Sequence, residues 1–183
     1  MNNDWTLLEV LKYVRHDWMN RIQLIKGNLD LGHTENAKRV IDEIILNSRQ
    51  ETRLTNLNLP CLAEWIMTYN WRSRQLTLEY EILDDYRNVS LNDQLITKWM
   101  CSLCQEIEKR VDPRGENHLF LSIQERGKAH CFFFDLSGII KDSHELERWI
   151  EQSVKSLFET EVEFIESTDE NLQFQVCFSP MER

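Results

Sequence analysis

The chain has 183 residues, of which 42% are hydrophobic and 28% charged, as in a globular protein of one ordinary or two small domains. No apolar run reaches the ~18–20 residues of a membrane-spanning helix, and the N-terminus lacks the basic start of a signal peptide, so we expect a cytoplasmic protein without a membrane partner. The net charge of −10 resides in residues 57–183, because residues 1–56 hold eight acidic and eight basic side chains; this acidic balance disfavours nucleic acid as a partner.

A long amphipathic helix is predicted from Trp5 to Leu31. Its apolar seam advances in alternating steps of three and four residues, and Arg15 is its only polar member: Leu8, Leu11, Arg15, Trp18, Ile22, Ile25 and Leu29. Asp4 is the predicted N-cap, and Gly32 is the predicted C-terminal cap. Gly27 lies inside this helix, where a glycine costs up to ~1 kcal/mol relative to alanine.

A second helix is predicted from Glu35 to Asn56, with an apolar face formed by Ala37, Val40, Ile41, Ile44 and Ile45. Because the connection is short, the two helices are expected to form an antiparallel hairpin. Two helices cannot enclose a core alone, so we expect a second hairpin to complete a four-helix bundle by dimerisation. Docking of the hairpin on the rest of a monomeric chain is the alternative.

The pattern changes at Pro60, so we predict a helical hairpin domain at residues 1–58 and an α/β domain at residues 59–183. The second domain is expected to contain helices at residues 61–74, 92–111 and 143–158. Its expected strands are "LTLEYEIL", "HLFLSIQE", "HCFFFDL", "EVEFIE" and "NLQFQVCF". This order of elements predicts one sheet covered by helices on one face, an α+β sandwich.

The cysteines and histidines predict no metal or redox site. Five cysteines, an odd number in a chain without a secretory signal, argue against a disulfide framework. Cys101 and Cys104 form a C-x-x-C in the middle of a predicted helix, where we expect buried thiols. The histidines have no H-x3-H spacing that would bring two of them to one metal ion.

His16 lies one residue away from the apolar seam, on a flank that faces water or a partner. Asn20, four residues later, shares this face, whereas Asp17 points elsewhere on the helix. An exposed imidazole is substantially neutral at pH 7, so one ring nitrogen carries a lone pair that can attack phosphorus. On spacing alone, a lone exposed histidine is more often a surface residue without a role, and that alternative stays open.

The segment "RHDWMNRIQLIKGNLDLG" resembles the phosphoacceptor segment of the sporulation initiation phosphotransferase B family. More loosely, H-D-x-x-N followed by I-x-G-x-L is similar to the H-box of citrate-sensor-type histidine kinases. The resemblance implies a dimeric four-helix bundle, phosphorylation of His16, and a C-terminal domain that resembles the kinase ATP-binding domain without binding ATP. It also implies relay of a phosphoryl group from the aspartate of a single-domain response regulator to that of a second one, a transcription factor controlling sporulation.

The glycines give an independent argument about ATP. The helix "QEIEKRV" has Glu106 where an ATP-binding domain of this type carries asparagine, and "DLSGI" has Ser137 and Ile139 at its glycine positions. Only three glycines lie outside the hairpin, well apart at positions 115, 127 and 138, so no glycine-rich phosphate loop can be built from them. We therefore expect neither ATP binding nor autophosphorylation.

Our hypothesis is a phosphorelay phosphotransferase in which His16 is the phosphorylated residue. Asn20 would orient the imidazole, Arg15 would neutralise charge, and Asp17 would bias the local field. Four further residues are predicted to contact a regulator: Lys12, Met19, Ile22 and Gln23. No cofactor is expected on this chain, since the Mg²⁺ would belong to the acidic pocket of the regulator. A histidine kinase core with a degenerate nucleotide site and a non-catalytic dimeric adaptor are the alternatives.

Overall fold

The computed structural model describes residues 6–73, 75–84, 91–127, 129–158 and 160–178. The elements follow the predicted order: α1 (Leu7–Asp30), α2 (Thr34–Asn56), α3 (Pro60–Arg72), β1 (Thr77–Ile82), α4 (Asp93–Arg110), β2 (His118–Arg126), β3 (Ala129–Ser137), α5 (Ser143–Phe158), β4 (Val162–Ser167) and β5 (Asn171–Phe178). The predicted α+β class is confirmed. The chain forms two compact units, Met1–Arg49 and Gln50–Arg183, while the domain boundary drawn at residue 58 stays a prediction. None of the described helices is long and apolar enough to cross a membrane.

Helix α1 begins with a capping box. The Thr6 hydroxyl accepts a hydrogen bond from the Glu9 backbone N–H at 3.3 Å, and the Glu9 carboxylate accepts one from the Thr6 backbone N–H at 2.9 Å. The predicted cap, Asp4, lies outside the described residues, and its assignment is wrong because Thr6 holds the N-cap position. At the other end Gly32 has φ +75°, the left-handed conformation that a terminal glycine readily adopts.

The first unit leaves much of its apolar surface in water. No described residue of α1 is buried, and Ala37 of α2 is 2% exposed, the lowest value among the described residues of the unit. On the predicted seam, Trp18 and Ile22 are 49% and 51% exposed. A single hairpin therefore buries only part of its seam, as expected for two helices that cannot enclose a core.

The second unit is a five-stranded sheet in the order β1-β2-β3-β5-β4. Strand β1 runs parallel to β2, and the remaining neighbours are antiparallel. One face is apolar and lies in the same core as residues of α3, α4 and α5; it includes Leu119, Leu121, Phe132, Phe134, Leu172, Phe174 and Val176. On the other face Asp135 stands between Phe120 and Gln173. The predicted sandwich with helices on one face is confirmed.

Trp99 of α4 is a central residue of this core. It is buried and makes edge-to-face contacts with Phe134 and Phe158, in both cases with ring centroids 5.7 Å apart. Its indole Nε1 donates a hydrogen bond to Ser153 Oγ at 3.0 Å, so that the one polar atom of the side chain is satisfied inside the core. Trp99 thus joins α4 to both the sheet and α5.

The edge of β1 that faces away from β2 makes hydrogen bonds with polar side chains. Asn70 of α3 donates from Nδ2 to the Leu78 carbonyl and accepts at Oδ1 from the Leu78 N–H, both at 2.8 Å. At the end of the strand, Gln50 Oε1 accepts from the Ile82 N–H at 2.8 Å and Arg53 donates to the Ile82 carbonyl at 3.0 Å. These contacts provide the hydrogen bonds that another strand would make.

A disulfide, which the cysteine count argued against, joins Cys131 of β3 to Cys177 of β5. That expectation is wrong because the antiparallel register places the two residues directly opposite each other, although they are 46 residues apart in sequence. Cys104 is buried and Cys101 half-buried, in keeping with the thiols predicted for the C-x-x-C. Among the described residues no group of three or more His, Cys, Asp and Glu side chains could hold a metal ion.

Asp93, the first residue of α4, caps a different helix. Its carboxylate accepts hydrogen bonds from the backbone N–H groups of Cys61 at 2.8 Å and Leu62 at 3.0 Å, in the first turn of α3. The N-cap residue of α3, Leu59, makes no side-chain cap. A negative charge beside unpaired N–H groups stabilises a helix N-terminus, so Asp93 fixes α4 to the start of α3.

Replacing Asp93 with alanine is expected to lower the free energy of unfolding by about 1–2 kcal/mol, the usual effect of losing an N-terminal cap. Asp93→Asn should lie in between, because a carboxamide accepts through one oxygen only. Urea denaturation followed by circular dichroism measures both, with Glu151→Ala on the exposed side of α5 as the control. An Asp93→Ala variant as stable as the control would contradict this role.

Candidate functional site

Helix α1 distributes its side chains over three sides. At about 100° per residue, one side carries the half-buried residues Val10, Arg21, Ile25 and Asn28. The exposed seam with Trp18 and Ile22 occupies the neighbouring side. His16 points away from both, into solvent. Helix α1 therefore holds the imidazole of His16 in a position that a partner molecule can reach.

Asn20 contacts the imidazole of His16 directly. The distance between Asn20 Nδ2 and His16 Nδ1 is 3.2 Å, which bears out the expectation that the two side chains share a face. With Nδ2 as the donor, Nδ1 is the acceptor and the ring proton sits on Nε2. With the carboxamide turned over, Oδ1 accepts from Nδ1–H and the lone pair of Nε2 faces solvent. The two orientations of the Asn20 amide thus correspond to the two tautomers of the His16 ring, and only the second leaves the Nε2 lone pair open to solvent.

The other predicted site residues surround this pair at different distances. Lys12, Met19 and Gln23 lie on the His16 side of the helix, within one or two turns, and all are exposed. Arg15 and Asp17 are exposed neighbours in sequence on either flank. Ile22 lies on the seam side, also exposed. The structure thus brings His16 and Asn20 together, and the roles given to all eight residues stay predictions.

In the second unit, the carboxylate of Glu106 lies at the position where an ATP-binding domain of this type carries asparagine. Glu106 forms an ion pair with Lys109 at 2.8 Å and another with Arg110, whose guanidinium also lies 3.6 Å from Glu145. The hydrogen bond from Lys109 and the pairing with Arg110 hold the pKa of the Glu106 carboxyl below its ordinary value of 4.5. Glu106 is therefore negatively charged at neutral pH and does not attract a phosphate.

The "DLSGI" stretch continues β3 and does not form a phosphate loop. Asp135 and Ser137 belong to the strand. Gly138 has φ +150°, and a Cβ there would come within 2.3 Å of Asn117 Oδ1. This glycine serves the close approach of Asn117, a buried residue whose Nδ2 donates to the carbonyl groups of Gln75 and Asp112, both at 2.9 Å. Residues 129–158 contain no second glycine that could complete a loop.

Comparison with known proteins finds similarity to one family over residues 1–179. Residues 1–57 match a family model described as the alpha-helical domain of the SpoOB-type sensor kinase, and residues 58–179 match one described as the C-terminal part of sporulation initiation phosphotransferase B. The chain is 40% identical over 138 residues to sporulation initiation phosphotransferase B of Bacillus subtilis (strain 168). That alignment covers 74% of this chain and 72% of the relative.

Solved structures show more distant similarity. A histidine kinase of Acinetobacter baumannii, AdeS, has a TM-score of 0.47 at 10% identity, covering 91% of this chain and 98% of its own. A bacterial phosphotransferase determined at 1.7 Å has a TM-score of 0.42 at 14% identity, covering 93% of this chain and 97% of its own.

Removing the carboxamide of Asn20 is expected to release the His16 ring. In Asn20→Ala the ¹⁵N chemical shifts of the ring should move to values averaged over both tautomers, because the Nδ1 partner is lost. In Asn20→Asp the carboxylate only accepts hydrogen bonds, so the proton should stay on Nδ1. Ring-nitrogen NMR measures this, with Gln23→Ala, on the same face, as the control. Identical His16 spectra in all variants would contradict the contact.

Proposed function

The chain belongs to the sporulation initiation phosphotransferase B family, and on this basis we propose that it is a phosphorelay phosphotransferase that carries the phosphoryl group on His16. The observation that supports this assignment most directly is the His16–Asn20 pair on the solvent-facing side of α1. The His16 side chain does not pack in a core there, and Asn20, one turn away, holds the orientation of its ring.

The reaction consists of two displacements at phosphorus. His16 Nε2 attacks the aspartyl phosphate of a response regulator; the N–P bond forms as the bond between phosphorus and the carboxylate oxygen breaks, and the carboxylate leaves with the electron pair. During this step Asn20 Oδ1 accepts a hydrogen bond from His16 Nδ1–H, which keeps the proton on Nδ1. In the second step the aspartate of another regulator attacks the phosphohistidine, and the imidazole leaves. The two steps together return the chain to its starting state.

The surroundings of His16 suit a partner with a negatively charged pocket. Lys12 and Arg15 bring positive charge within a turn of the imidazole, while Met19 and Gln23 offer an apolar and a polar contact beside it. In-line transfer depends chiefly on positioning and on charge neutralisation. The Mg²⁺ ion that such a transfer uses is held by the regulator in this proposal, and this chain contributes no ligand to it.

The active form in this proposal is a homodimer. Trp18 and Ile22 are about half exposed on a helix that already uses another side for its half-buried residues. A second hairpin laid against this seam buries both side chains and leaves His16 accessible on the outside. The resulting four-helix bundle is the simplest arrangement that removes an apolar stripe of this length from water.

A kinase core with a degenerate nucleotide site is less well supported. The negative charge of Glu106 repels a phosphate at the position where an ATP-binding domain carries asparagine. Gly138 makes room for Asn117 and does not belong to a phosphate loop. A non-catalytic adaptor would leave the His16–Asn20 contact without a purpose. Both alternatives make different predictions from a phosphotransferase when His16 is replaced.

His16→Gln is expected to lower transfer between two regulators to background while the circular dichroism spectrum stays unchanged, because the residue makes no core contact. The assay starts from a phosphorylated single-domain regulator and follows label into this chain and then into a second regulator. His33→Gln, in the turn between α1 and α2, is the control and should transfer normally. Relay by His16→Gln would support an adaptor, and labelling of the wild type by ATP alone would support a kinase.

Trp18→Asp is expected to convert a dimer into a monomer at micromolar concentration. Burying an uncompensated carboxylate at the seam should weaken association at least about 100-fold. Sedimentation equilibrium measures the mass of the wild type and the variant, and Gln23→Asp, on the His16 side, should remain dimeric. A wild-type chain that sediments as a monomer would refute the homodimer.

A further inference from the structure

The disulfide between Cys131 and Cys177 lies on the face of the sheet opposite to the helices. Side chains alternate along a strand, and Phe132 and Val176, the neighbours of the two cysteines, belong to the core that contains residues of α3, α4 and α5. Cys131 is 1% exposed, whereas Cys177 is half-buried. A reagent dissolved in water therefore reaches the sulfur of Cys177 before that of Cys131.

A buried amide donates a hydrogen bond to the more accessible sulfur. Gln175 is 6% exposed and lies two residues before Cys177 on the same face of β5, and its Nε2 donates to Cys177 Sγ at 3.2 Å. A sulfur in a disulfide is a weak acceptor, but a thiolate is charged, and hydrogen bonds to charged acceptors are about twice as strong as neutral ones. Gln175 therefore favours the reduced, ionised state of Cys177 over the disulfide.

The pairing of β3 with β5 does not depend on the disulfide. The whole of β5 is hydrogen-bonded in register to β3. Phe134 and Phe174 stack across the same two strands, with their ring centroids 4.6 Å apart. These contacts keep Cys131 and Cys177 opposite each other after the bond between them opens, in position to form it again. The bond can therefore break and close within the folded chain.

We propose that Cys131 and Cys177 form a reversible redox site, in which Cys177 reacts with a hydroperoxide or with a dithiol and Cys131 closes or leaves the bond. Exposed disulfides with a stabilised reduced form are the labile ones, and both conditions are met at Cys177. The site is separate from His16 and does not rest on the proposed function.

Oxidation proceeds in two steps that consume one hydroperoxide. The Cys177 thiolate attacks a peroxide oxygen: the S–O bond forms, the O–O bond breaks, and the leaving oxygen takes up a proton. The Cys131 thiol then attacks the sulfur of this sulfenic acid, so that the S–S bond forms and hydroxide leaves with the thiol proton as water. The two thiols lose two electrons, and the peroxide gains them.

Reduction by a dithiol begins at the same sulfur. A thiolate of the dithiol attacks Cys177 Sγ, the S–S bond breaks, and Cys131 leaves as a thiolate that takes up a proton. The second thiol of the reductant then attacks the reductant's own sulfur in the mixed disulfide. This step closes a disulfide in the reductant and releases Cys177 as a thiolate, the charge that Gln175 stabilises.

The redox state of the pair sets the stability of the second unit. The bond joins residues that are 46 positions apart, and the loop it closes contains α5 and β4. A disulfide across a loop of this length restricts the unfolded chain, so its loss is expected to lower the Tm by about 5–15 °C in a protein of this size. Oxidation therefore stabilises the second unit, and a dithiol removes that stabilisation while the fold remains.

The test starts from the full chain with the disulfide closed. A millimolar excess of dithiothreitol, without denaturant, should open the bond within minutes to hours, and alkylation with mass mapping identifies the new thiols. Thermal unfolding followed by circular dichroism should give a Tm about 5–15 °C lower for the reduced chain. Removal of the reductant and addition of hydrogen peroxide should restore the bond and the Tm. Cys61→Ser, which removes an exposed free thiol, is the control and should behave as the wild type.

Single variants assign the roles of the two sulfurs. In Cys131→Ser, peroxide should leave Cys177 as a sulfenic acid that dimedone traps, whereas Cys131 in Cys177→Ser should take up little dimedone. With Cys131→Ser as the background, Gln175→Met removes the donor at similar volume. The pH at which Cys177 reaches half of its maximal alkylation rate should then rise by about one, because the thiolate loses a hydrogen bond.

Three results would overturn the proposal. One is a disulfide that stays closed in the folded chain under an excess of dithiothreitol. Another is dimedone labelling of Cys131 in Cys177→Ser that equals or exceeds the labelling of Cys177 in Cys131→Ser. The third is the same Tm for the oxidised and the reduced wild type, a comparison that needs no variant to fold.

Discussion

The 3.6-residue period of α1 is the constraint on which the first unit depends. A helix of this length has room for three longitudinal sides, and the sequence assigns each one a different environment. One carries the half-buried residues around Ile25, the next carries the exposed seam around Trp18 and Ile22, and the third carries His16 with Asn20. Because the sides are fixed relative to one another by the backbone hydrogen bonds, the proposed phosphate transfer and the proposed dimerisation share only Ile22 among the residues assigned to them.

The packing of the second unit depends on its own apolar side chains. Its core depends on the facing apolar strands and on Trp99, which ties α4 to the sheet and to α5. None of those contacts needs a nucleotide. Glu106 and Arg110 form an ion pair, and Gly138 accommodates Asn117. These two contacts also come from side chains of the chain itself.

The period of the apolar residues predicts the helices and strands. Features that depend on contacts between residues distant in sequence cannot be predicted in this way. Every helix and strand was placed correctly because its apolar period is visible locally. The capping box at Thr6 is also a local pattern, T-x-x-E, whereas the predicted cap at Asp4 is wrong. The disulfide between Cys131 and Cys177, and the cap that Asp93 gives to α3, depend on register and helix packing, which one sequence does not display. In the site, the spacing of His16 and Asn20 predicts a shared face, whereas the 3.2 Å contact that couples the Asn20 amide to the tautomer of the His16 ring is visible only in the structure.

The amide groups along β1 have a consequence for how the protein behaves when it is concentrated. An edge strand with free N–H and C=O groups invites another chain to extend the sheet, and growth of that kind has no natural end. Asn70 and Gln50 occupy those groups at Leu78 and Ile82. The chain thus closes an edge at which sheets could polymerise, whereas an exposed helical seam is satisfied by one partner. In the proposed homodimer, the covered edge of β1 removes one route by which dimers could grow into larger assemblies.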